Sequence, residues 1–176
     1  IENVAFTNAK VSEEASLIAR AGTGIVRNVY VQYAEIKGGG EENVSTLFGS
    51  SDDAGRTIEN LIVDVTSCNF GSEVKNVYVI GGGYGTFKNV AVIGEFDVNA
   101  GNKALITDVE VKGDNYLVHK NSYEELLADE IAMANFAALD PSIWSINENL
   151  VTFKRLFDAD NVTPSITNEE TEIMKG

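Results

Sequence analysis

The stretch that decides the fold is Val26-Arg27-Asn28-Val29-Tyr30-Val31: an apolar residue, any residue, Asn, an apolar residue, any residue and an apolar residue. This repeat phrase returns at residues 1–6, 58–63 and 87–92, and more loosely at 106–111. Recurrence at intervals of a few tens of residues is typical of repeat architectures and outranks local propensity in deciding the fold. The sequence therefore indicates stacked copies of one structural unit.

The Asn of the phrase predicts a bend in the backbone. Side chains alternate along a straight strand, so Val26 would point to the opposite face from Val29 and Val31, although all three are apolar. Asn enters the left-handed backbone region more readily than other residues with a side chain, because its short amide bonds locally. We therefore predict that each copy bends at its Asn and turns both apolar flanks toward one core.

Short apolar segments precede most copies, at residues 16–20, 46–49, 78–80 and 103–106. Gly-containing turns join the first three to their copies, whereas the last leads into Asp108 with almost no turn. A coil of roughly 20–30 residues with three short strands, stacked on copies of itself, is a parallel β-helix. We predict an all-β chain that forms a right-handed parallel β-helix of about five coils. The segment 74–79 resembles the phrase but is predicted to be a different strand of the same coil.

Stacking the copies predicts which residues lie above one another. Two inward columns are expected, Val4, Val29, Leu61, Val90 and Val109 beside Phe6, Val31, Val63, Val92 and Val111. The corners Asn3, Asn28, Asn60 and Asn89 are expected to form an amide ladder that ends at Asp108. The residues before the corners, Glu2, Arg27, Glu59, Lys88 and Thr107, are expected to form an outward row in which opposite charges are neighbours.

The pattern changes after Lys112. Ser122-Tyr123-Glu124-Glu125 has the spacing of a capping box and predicts a short helix. Residues 143–146 and 150–153 predict a β-hairpin. Because an open end of a β-helix exposes backbone and apolar side chains, we expect these elements to cap that end, with Trp144 as the plug. The predicted boundaries are 1–157 for the helix and its cap, and 158–176 for a linker and a following strand.

Composition limits the possible partners. The 176 residues carry a formal net charge of −14, which disfavours binding to nucleic acid or anionic membrane surfaces. No apolar run is long enough to span a bilayer. The single cysteine, Cys68, excludes an internal disulfide and is expected to be a small buried hydrophobe. Since the chain opens inside a repeat phrase, we expect it to be either a fragment of a larger protein or a mature piece whose leader has been removed.

The sequence predicts no catalytic, cofactor-binding or metal-binding residue. His119 is the only histidine and is expected to be structural or exposed, so a catalytic triad has no support. The Gly-rich run at 81–85 lacks the Lys-Ser/Thr of a phosphate loop and is expected to be a turn between strands. The acidic residues Glu41, Glu42, Asp52 and Asp53 are expected to form a solvated loop, and binding of calcium there stays an open alternative.

The turns, the corners and the closing segment around residues 123–126 and 143–146 resemble the GLUG-type and related β-helix repeats of large bacterial cell-surface proteins. The tail Glu172-Ile173-Met174-Lys175-Gly176 is similar to the opening strand of bacterial immunoglobulin-like modules. The resemblance covers residues 1–157 and implies an extracellular, surface-tethered protein with an adhesive or glycan-facing role. It provides no catalytic residues.

Three functions are therefore considered. The leading hypothesis is a non-enzymatic stalk or adhesion module, with host glycans, matrix proteins and neighbouring domains of the same chain as partners. The second is a polysaccharide lyase or hydrolase, for which Arg27, Glu59 and Lys88 are the nearest candidate residues. The third is a carbohydrate-binding module that stacks sugars on exposed tyrosines, with candidates Tyr30, Tyr78 and Tyr84.

Overall fold

The computed structural model describes residues 1–12, 16–18, 24–37, 43–48, 56–71, 76–81, 85–95, 103–107, 117–147 and 150–153. Within these ranges the strands are β1 (Glu2–Ser12), β2 (Gly24–Lys37), β3 (Asn43–Ser45), β4 (Arg56–Asp64), β5 (Asn69–Phe70), β6 (Asn76–Gly81), β7 (Gly85–Ile93), β8 (Lys103–Thr107), β9 (Leu117–Lys120), β10 (Trp144–Asn147) and β11 (Leu150–Phe153). The helices are α1 (Tyr123–Ala128) and α2 (Glu130–Phe136). Neither of these helices has the length and apolar character needed to cross a bilayer.

Most of the strands form two parallel sheets. In the major sheet the order is β1-β2-β4-β7-β9, every neighbouring pair is parallel, and β5 also pairs with β2. The minor sheet has the order β3-β6-β8 and is also parallel. From β2 to β9 the chain passes back and forth between the two sheets. The protein is therefore mostly β, as predicted, and residues 76–79 of the segment 74–79 lie in β6 of the minor sheet.

The repeat phrases lie in register across the major sheet. Val4 pairs with Val29, Val29 with Leu61, and Leu61 with Val90. The corner residues have left-handed backbone, with φ of 57°, 51°, 56° and 52° at Asn3, Asn28, Asn60 and Asn89. Apolar residues on both sides of the corners Asn28, Asn60 and Asn89 are buried. For example, Ile58 and Leu61, which flank Asn60, have 0% exposure. The predicted bend is confirmed.

Asn8 is a further corner, which was not predicted from the sequence. Its φ is 57°, and the pairing of β1 with β2 shifts register between Phe6 and Ala9. The signal was present, because Phe6-Thr7-Asn8-Ala9-Lys10-Val11 repeats the phrase in overlap with the first copy. β1 therefore bends twice within its length.

The fifth copy of the phrase does not continue the inward columns. The strand next to β7 is β9, in which Leu117 pairs with Val90 and His119 with Val92. These two residues take the positions predicted for Val109 and Val111. Thr107 pairs with Gly81 in the minor sheet, so its place in the outward row was also wrong. The reason is that β8 carries residues 103–107 onto the minor sheet; residues 108–111 lie outside the described part of the chain.

The inner face of the major sheet is the side that carries the inward columns. Its core includes Val29, Leu61 and Val90, and it extends to Leu47, Phe48 and Ile80 on the opposite side. Six residues of the two central columns, Val29, Val31, Leu61, Val63, Val90 and Val92, have 0% exposure. Burial of these aliphatic columns is the main apolar contribution to the stack.

The outer face of the same sheet is covered by the C-terminal lobe, which we define as residues 121–147 and 150–153. Tyr30, Ile62 and Ala91 on this face form a second core with residues of the lobe, namely Leu126, Ala132, Phe136, Leu139 and Trp144. Ser122 is the N-cap of α1 as predicted, and its Oγ accepts a hydrogen bond from Glu125 N at 3.2 Å. The second bond of the box is displaced by one residue, since Glu125 Oε2 accepts from Asn121 N at 2.9 Å. The predicted hairpin is β10 and β11, which are antiparallel.

The position of the lobe differs from the prediction. We expected a cap over the open end of the stack with Trp144 as its plug, but the lobe lies along the flank of the major sheet. Trp144 is 3% exposed and packs in the core that contains Tyr30 and Ile62. The physical reason is the column Ala5, Tyr30, Ile62, Ala91 and Val118, which is apolar on every strand and needs cover.

Candidate functional site

The outward row consists of Glu2, Arg27, Glu59 and Lys88, which pair in register on four adjacent strands. Arg27 Nη1 lies 3.7 Å from Glu2 Oε1, and Arg27 Nε donates to Glu59 Oε2 at 2.8 Å. Lys88 Nζ donates to the other oxygen, Glu59 Oε1, at 3.1 Å. The predicted alternation of charge along the row is thus confirmed on these four strands.

The electrostatics of the row favour ionised, mutually paired side chains. The hydrogen bond from Arg27, followed by that from Lys88, holds the pKa of Glu59 below its ordinary value. A general acid or base works best with a pKa near the operating pH, and this carboxylate is shifted in the other direction. The three polysaccharide-site candidates Arg27, Glu59 and Lys88 are therefore brought together, but in an arrangement that neutralises them.

The amide ladder runs beside the outward row. Asn28 Nδ2 donates to Asn3 Oδ1 at 2.9 Å, Asn60 donates to Asn28 at 2.8 Å, and Asn89 donates to Asn60 at 3.1 Å. Every bond has the same direction, from the later strand to the earlier one. Trp144 Nε1 of the lobe also lies 3.5 Å from Asn28 Oδ1. The predicted ladder is confirmed from Asn3 to Asn89.

A buried carboxylate that the sequence reading missed joins the major sheet to the lobe. Asp64 is 3% exposed and ends β4. Its Oδ1 accepts from Thr66 N at 2.9 Å and Thr66 Oγ1 at 2.6 Å. Its Oδ2 accepts from the hydroxyls of Tyr30 and Tyr123, each at 3.0 Å.

The Asp64 cluster acts as a structural junction. Burial, reinforced by the nearby Asp64 charge, raises the pKa of Tyr123, so this hydroxyl remains a proton donor to the carboxylate. The donors come from β2 (Tyr30), from the turn after β4 (Thr66) and from the start of α1 (Tyr123), and they supply the hydrogen bonds that a buried carboxylate requires. An acidic residue directly after the buried run at 61–63 was the available signal.

The tyrosines predicted as sugar platforms are not presented together. Tyr30 is 3% exposed beneath the lobe, so its assignment as an exposed platform was wrong. Tyr78 is half-buried on β6, and Tyr84 lies outside the described residues.

His119 and Cys68 have structural surroundings. His119 Nε2 lies 2.9 Å from the carbonyl oxygen of Gly94. Gly94 has φ of 127°, and a Cβ there would lie 2.7 Å from the backbone of Val65 and Thr66, so only glycine fits this close approach. Cys68 packs partly buried against the inner core, and burial raises the pKa of its thiol to about 12. A thiol with that pKa is a poor nucleophile at neutral pH.

The two loops considered for ligands have different outcomes. Of the Gly-rich run, Gly81 ends β6 and Gly85 begins β7, and the predicted turn itself, residues 82–84, lies outside the described residues. The acidic residues Glu41, Glu42, Asp52 and Asp53 all lie outside the described residues. Among the residues described, no group of three or more His, Cys, Asp or Glu side chains is placed to hold a metal ion.

A groove of about 420 Å³ lies in the C-terminal lobe between the end of α2 and β10. It is lined by Ala137, Leu139, Pro141, Trp144, Ser145 and Ile146. Ile146 is 40% exposed, whereas Trp144 presents only a small part of its ring. None of the described side chains that line the groove is titratable.

Comparisons with known proteins identify no relative: no family model, curated protein or solved structure matches the chain.

Proposed function

We propose that this chain is a right-handed parallel β-helix of about five coils that serves as a non-enzymatic stalk or adhesion module of a bacterial extracellular surface protein. The observation that carries the proposal is the way the repeat phrase is used. Its apolar residues stack in the inner core, its Asn residues bond one another, and its charged residues pair along the outward row.

The β-helix part of the proposal is supported by the alternation of the chain between two parallel sheets that share the inner core. Right-handedness follows from the general preference of crossover connections between parallel strands. The surface location and the GLUG-type membership rest on the resemblance of the repeat phrase and of the closing segment. The net charge of −14 fits a module that stays soluble and avoids anionic polymers.

A stalk or spacer role fits a stack in which neighbouring strands are joined by both backbone and side-chain bonds. Each strand from β1 to β7 in the major sheet is linked to the next by a ladder amide as well as by sheet pairing. An adhesive ligand would bind to a surface that these contacts between strands do not occupy, such as the groove beside Trp144.

The experiment is a binding and activity screen on the same protein sample. Immobilised host matrix proteins and glycans are probed for saturable binding, and pectin, alginate and chondroitin are incubated with the protein and assayed for new unsaturated or reducing ends. We expect no new ends on any polymer. Saturable binding to one ligand would identify an adhesion module, and absence of binding to every ligand tested would identify a spacer.

The result that would overturn the proposal is release of sugar ends that disappears in Lys88→Ala. The matched control is Lys37→Ala, which removes a lysine of similar exposure that is paired with Glu35 outside the outward row. Activity lost in the first variant and kept in the second would assign a polysaccharide-acting enzyme.

A further inference from the structure

The groove of the C-terminal lobe presents apolar side chains from two parts of the chain. One wall is the segment 137–141, directly after α2, and the other is β10 from Trp144 to Ile146. Ile146 is 40% exposed, an unusual fraction for a large apolar side chain on a strand, whereas Leu139 of the other wall is buried. The volume of about 420 Å³ lies within the roughly 300–1,000 Å³ that ligand sites span.

β10 has backbone groups that its pairing with β11 does not use. Trp144 pairs with Phe153 in the hairpin, yet its N–H donates to the carbonyl oxygen of Asp140 at 2.9 Å. The N–H of Trp144 therefore points away from β11, toward the segment 137–141. Because the direction of the backbone groups alternates along an antiparallel pair, the N–H and C=O of Ile146 point to that same side. They open onto the groove, and no described group outside the hairpin bonds them.

The lobe around the groove is acidic. Its described residues, 121–147 and 150–153, contain no Lys, Arg or His but do contain Glu124, Glu125, Asp129, Glu130 and Asp140. Asp140 is exposed and lies between two residues of the groove wall, Leu139 and Pro141. Its Oδ1 accepts a hydrogen bond from Ser142 N at 2.8 Å, which fixes the carboxylate. A ligand with Lys or Arg beside its apolar residues would therefore meet opposite charge at this wall.

The surface of the groove suits an extended peptide better than a sugar. Trp144 is the aromatic side chain among the lining residues, and at 3% exposure it offers no ring face on which a sugar could stack. An open strand edge beside apolar side chains is instead the arrangement that binds extended peptides by strand addition. In that mode backbone bonds give affinity and alternate side chains give specificity.

We propose that the groove between the segment 137–141 and β10 is the docking site for an extended segment of a partner protein, with alternating apolar residues flanked by Lys or Arg. The backbone of this segment bonds the N–H and C=O of Ile146. Its apolar side chains contact Ile146 and Leu139, and a basic side chain approaches Asp140. The inference deepens the adhesion role proposed above and rests on it, because it specifies the class of ligand.

The test uses the whole chain and three panels of immobilised heptapeptides. In the first panel three apolar residues, in every combination of Val, Ile and Leu, alternate with two Thr residues, and Lys stands at both ends. The second panel has Glu at both ends, and the third keeps Lys but has Ser in place of the apolar residues. Binding of the labelled protein is measured on each panel, and the tightest sequences are measured again in solution by fluorescence anisotropy.

We expect saturable binding to peptides of the first panel, about fivefold tighter than to their Glu-flanked counterparts, and none to the Ser panel. High salt should narrow the charge preference. Asp140→Asn should narrow it too, since Asn keeps an acceptor for Ser142 N but removes the charge. Absence of saturable binding to the first panel would overturn the proposal, as would equal binding to the first panel and either of the others.

A pair of variants tests whether the peptide lies in the groove. Ile146→Thr keeps a β-branched residue on β10 but removes apolar surface, and should weaken binding about tenfold. The matched control is Ile131→Thr, because Ile131 is 69% exposed on α2 and does not line the groove. It should bind like the native protein, and circular dichroism checks that both variants fold. Undiminished binding by Ile146→Thr would overturn the proposal.

Methylated peptides test the backbone contact without altering the protein. One version of the tightest peptide is N-methylated at its three apolar residues and another at its two Thr residues. Because only alternate N–H groups of an extended peptide face β10, one version should lose binding and the other should keep it. Equal binding of both would overturn strand addition. Such a failure would leave the stalk or adhesion role standing, since that role is decided by the assay for sugar ends.

Discussion

The inner and outer faces of the major sheet are both buried, but different parts of the chain bury them. On the inner face, Val31, Val63 and Val92 stack on one another and share a core with Ile80 of β6 in the minor sheet. On the outer face, Tyr30 and Ile62 are covered by the C-terminal lobe. The repeat therefore completes its own core on one side and depends on a non-repeating segment on the other.

This difference extends to the polar contacts. Within the repeat, the same kind of side-chain contact recurs from one strand to the next, as in the amide ladder and the outward row. The lobe is held by single contacts of different kinds, including Tyr123 with Asp64 and Lys120 Nζ with Asp129 Oδ2 at 2.7 Å. We infer that the outer core is the less redundant of the two, so that it opens at a lower free energy.

The largest effect is expected from Trp144→Ala, which should break the outer core. Trp144 is 3% exposed among Tyr30, Ile62 and Phe136, and truncating a buried Trp typically costs about 3–5 kcal/mol of unfolding free energy. We expect amides of α1 and α2 to lose hydrogen-exchange protection while those of β4 and β7 keep it. Urea denaturation and residue-resolved exchange measure the two quantities.

The control for this variant is Leu61→Ala on the inner face. Leu61 has 0% exposure, and its truncation should cost about 2–5 kcal/mol. Here we expect protection to fall in the strands and in the lobe together, because the lobe has no surface to pack on without the sheet. If both variants lowered protection uniformly, the two faces would form one cooperative unit and the distinction would be wrong.

The inner face could be predicted from the sequence because its determinants are local and repeated. The phrase places an Asn at a fixed distance from apolar residues, so the bend, the columns and the ladder follow from alternation and from the backbone preference of Asn. The same rule would have found Asn8, whose copy overlaps the first one. It failed at residues 106–111, where a loose match was counted as a full copy although Thr107 lies in the minor sheet.

The outer face could not be placed in this way because its contacts join residues far apart in the chain. Nothing local connects Trp144 to Asn28, or Tyr123 to Asp64. A hint existed in Ala5, Tyr30, Ile62 and Ala91, since a solvated column would be polar. That hint indicates that something covers the face but does not identify the lobe, and it left the buried Asp64 site unforeseen.

An intermediate effect is expected at Asn60, in the middle of the ladder, and it sharpens the account of the inner side. Asn60→Ala should lower the unfolding free energy by about 2–3 kcal/mol, because it removes two amide bonds and forces a left-handed φ of 56° on Ala. Asn60→Gly removes the same bonds but accepts that φ, so we expect a loss about 1–2 kcal/mol smaller. Urea denaturation of both variants measures the difference. Equal losses would show that the bend itself contributes little.

The smallest effect is expected from Glu59→Gln. Glu59 belongs to the outward row, which lies outside both cores. The variant should lose less than about 1 kcal/mol at pH 7, since exposed ion pairs are weak. Because the folded-state pKa of Glu59 lies below its usual 4.5, its contribution is fully present above that pH and disappears as the pH falls through the lowered value. The loss should therefore shrink below pH 4.5 and in high salt, as measured by urea denaturation across pH. Glu35→Gln is the matched control, with similar side-chain exposure; the Glu35 carboxylate contacts one cation, Lys37, and Lys10 on the neighbouring strand acts on it only through its charge. A loss in Glu35→Gln as large as that in Glu59→Gln would mean that pairing along the row adds nothing beyond a single surface pair.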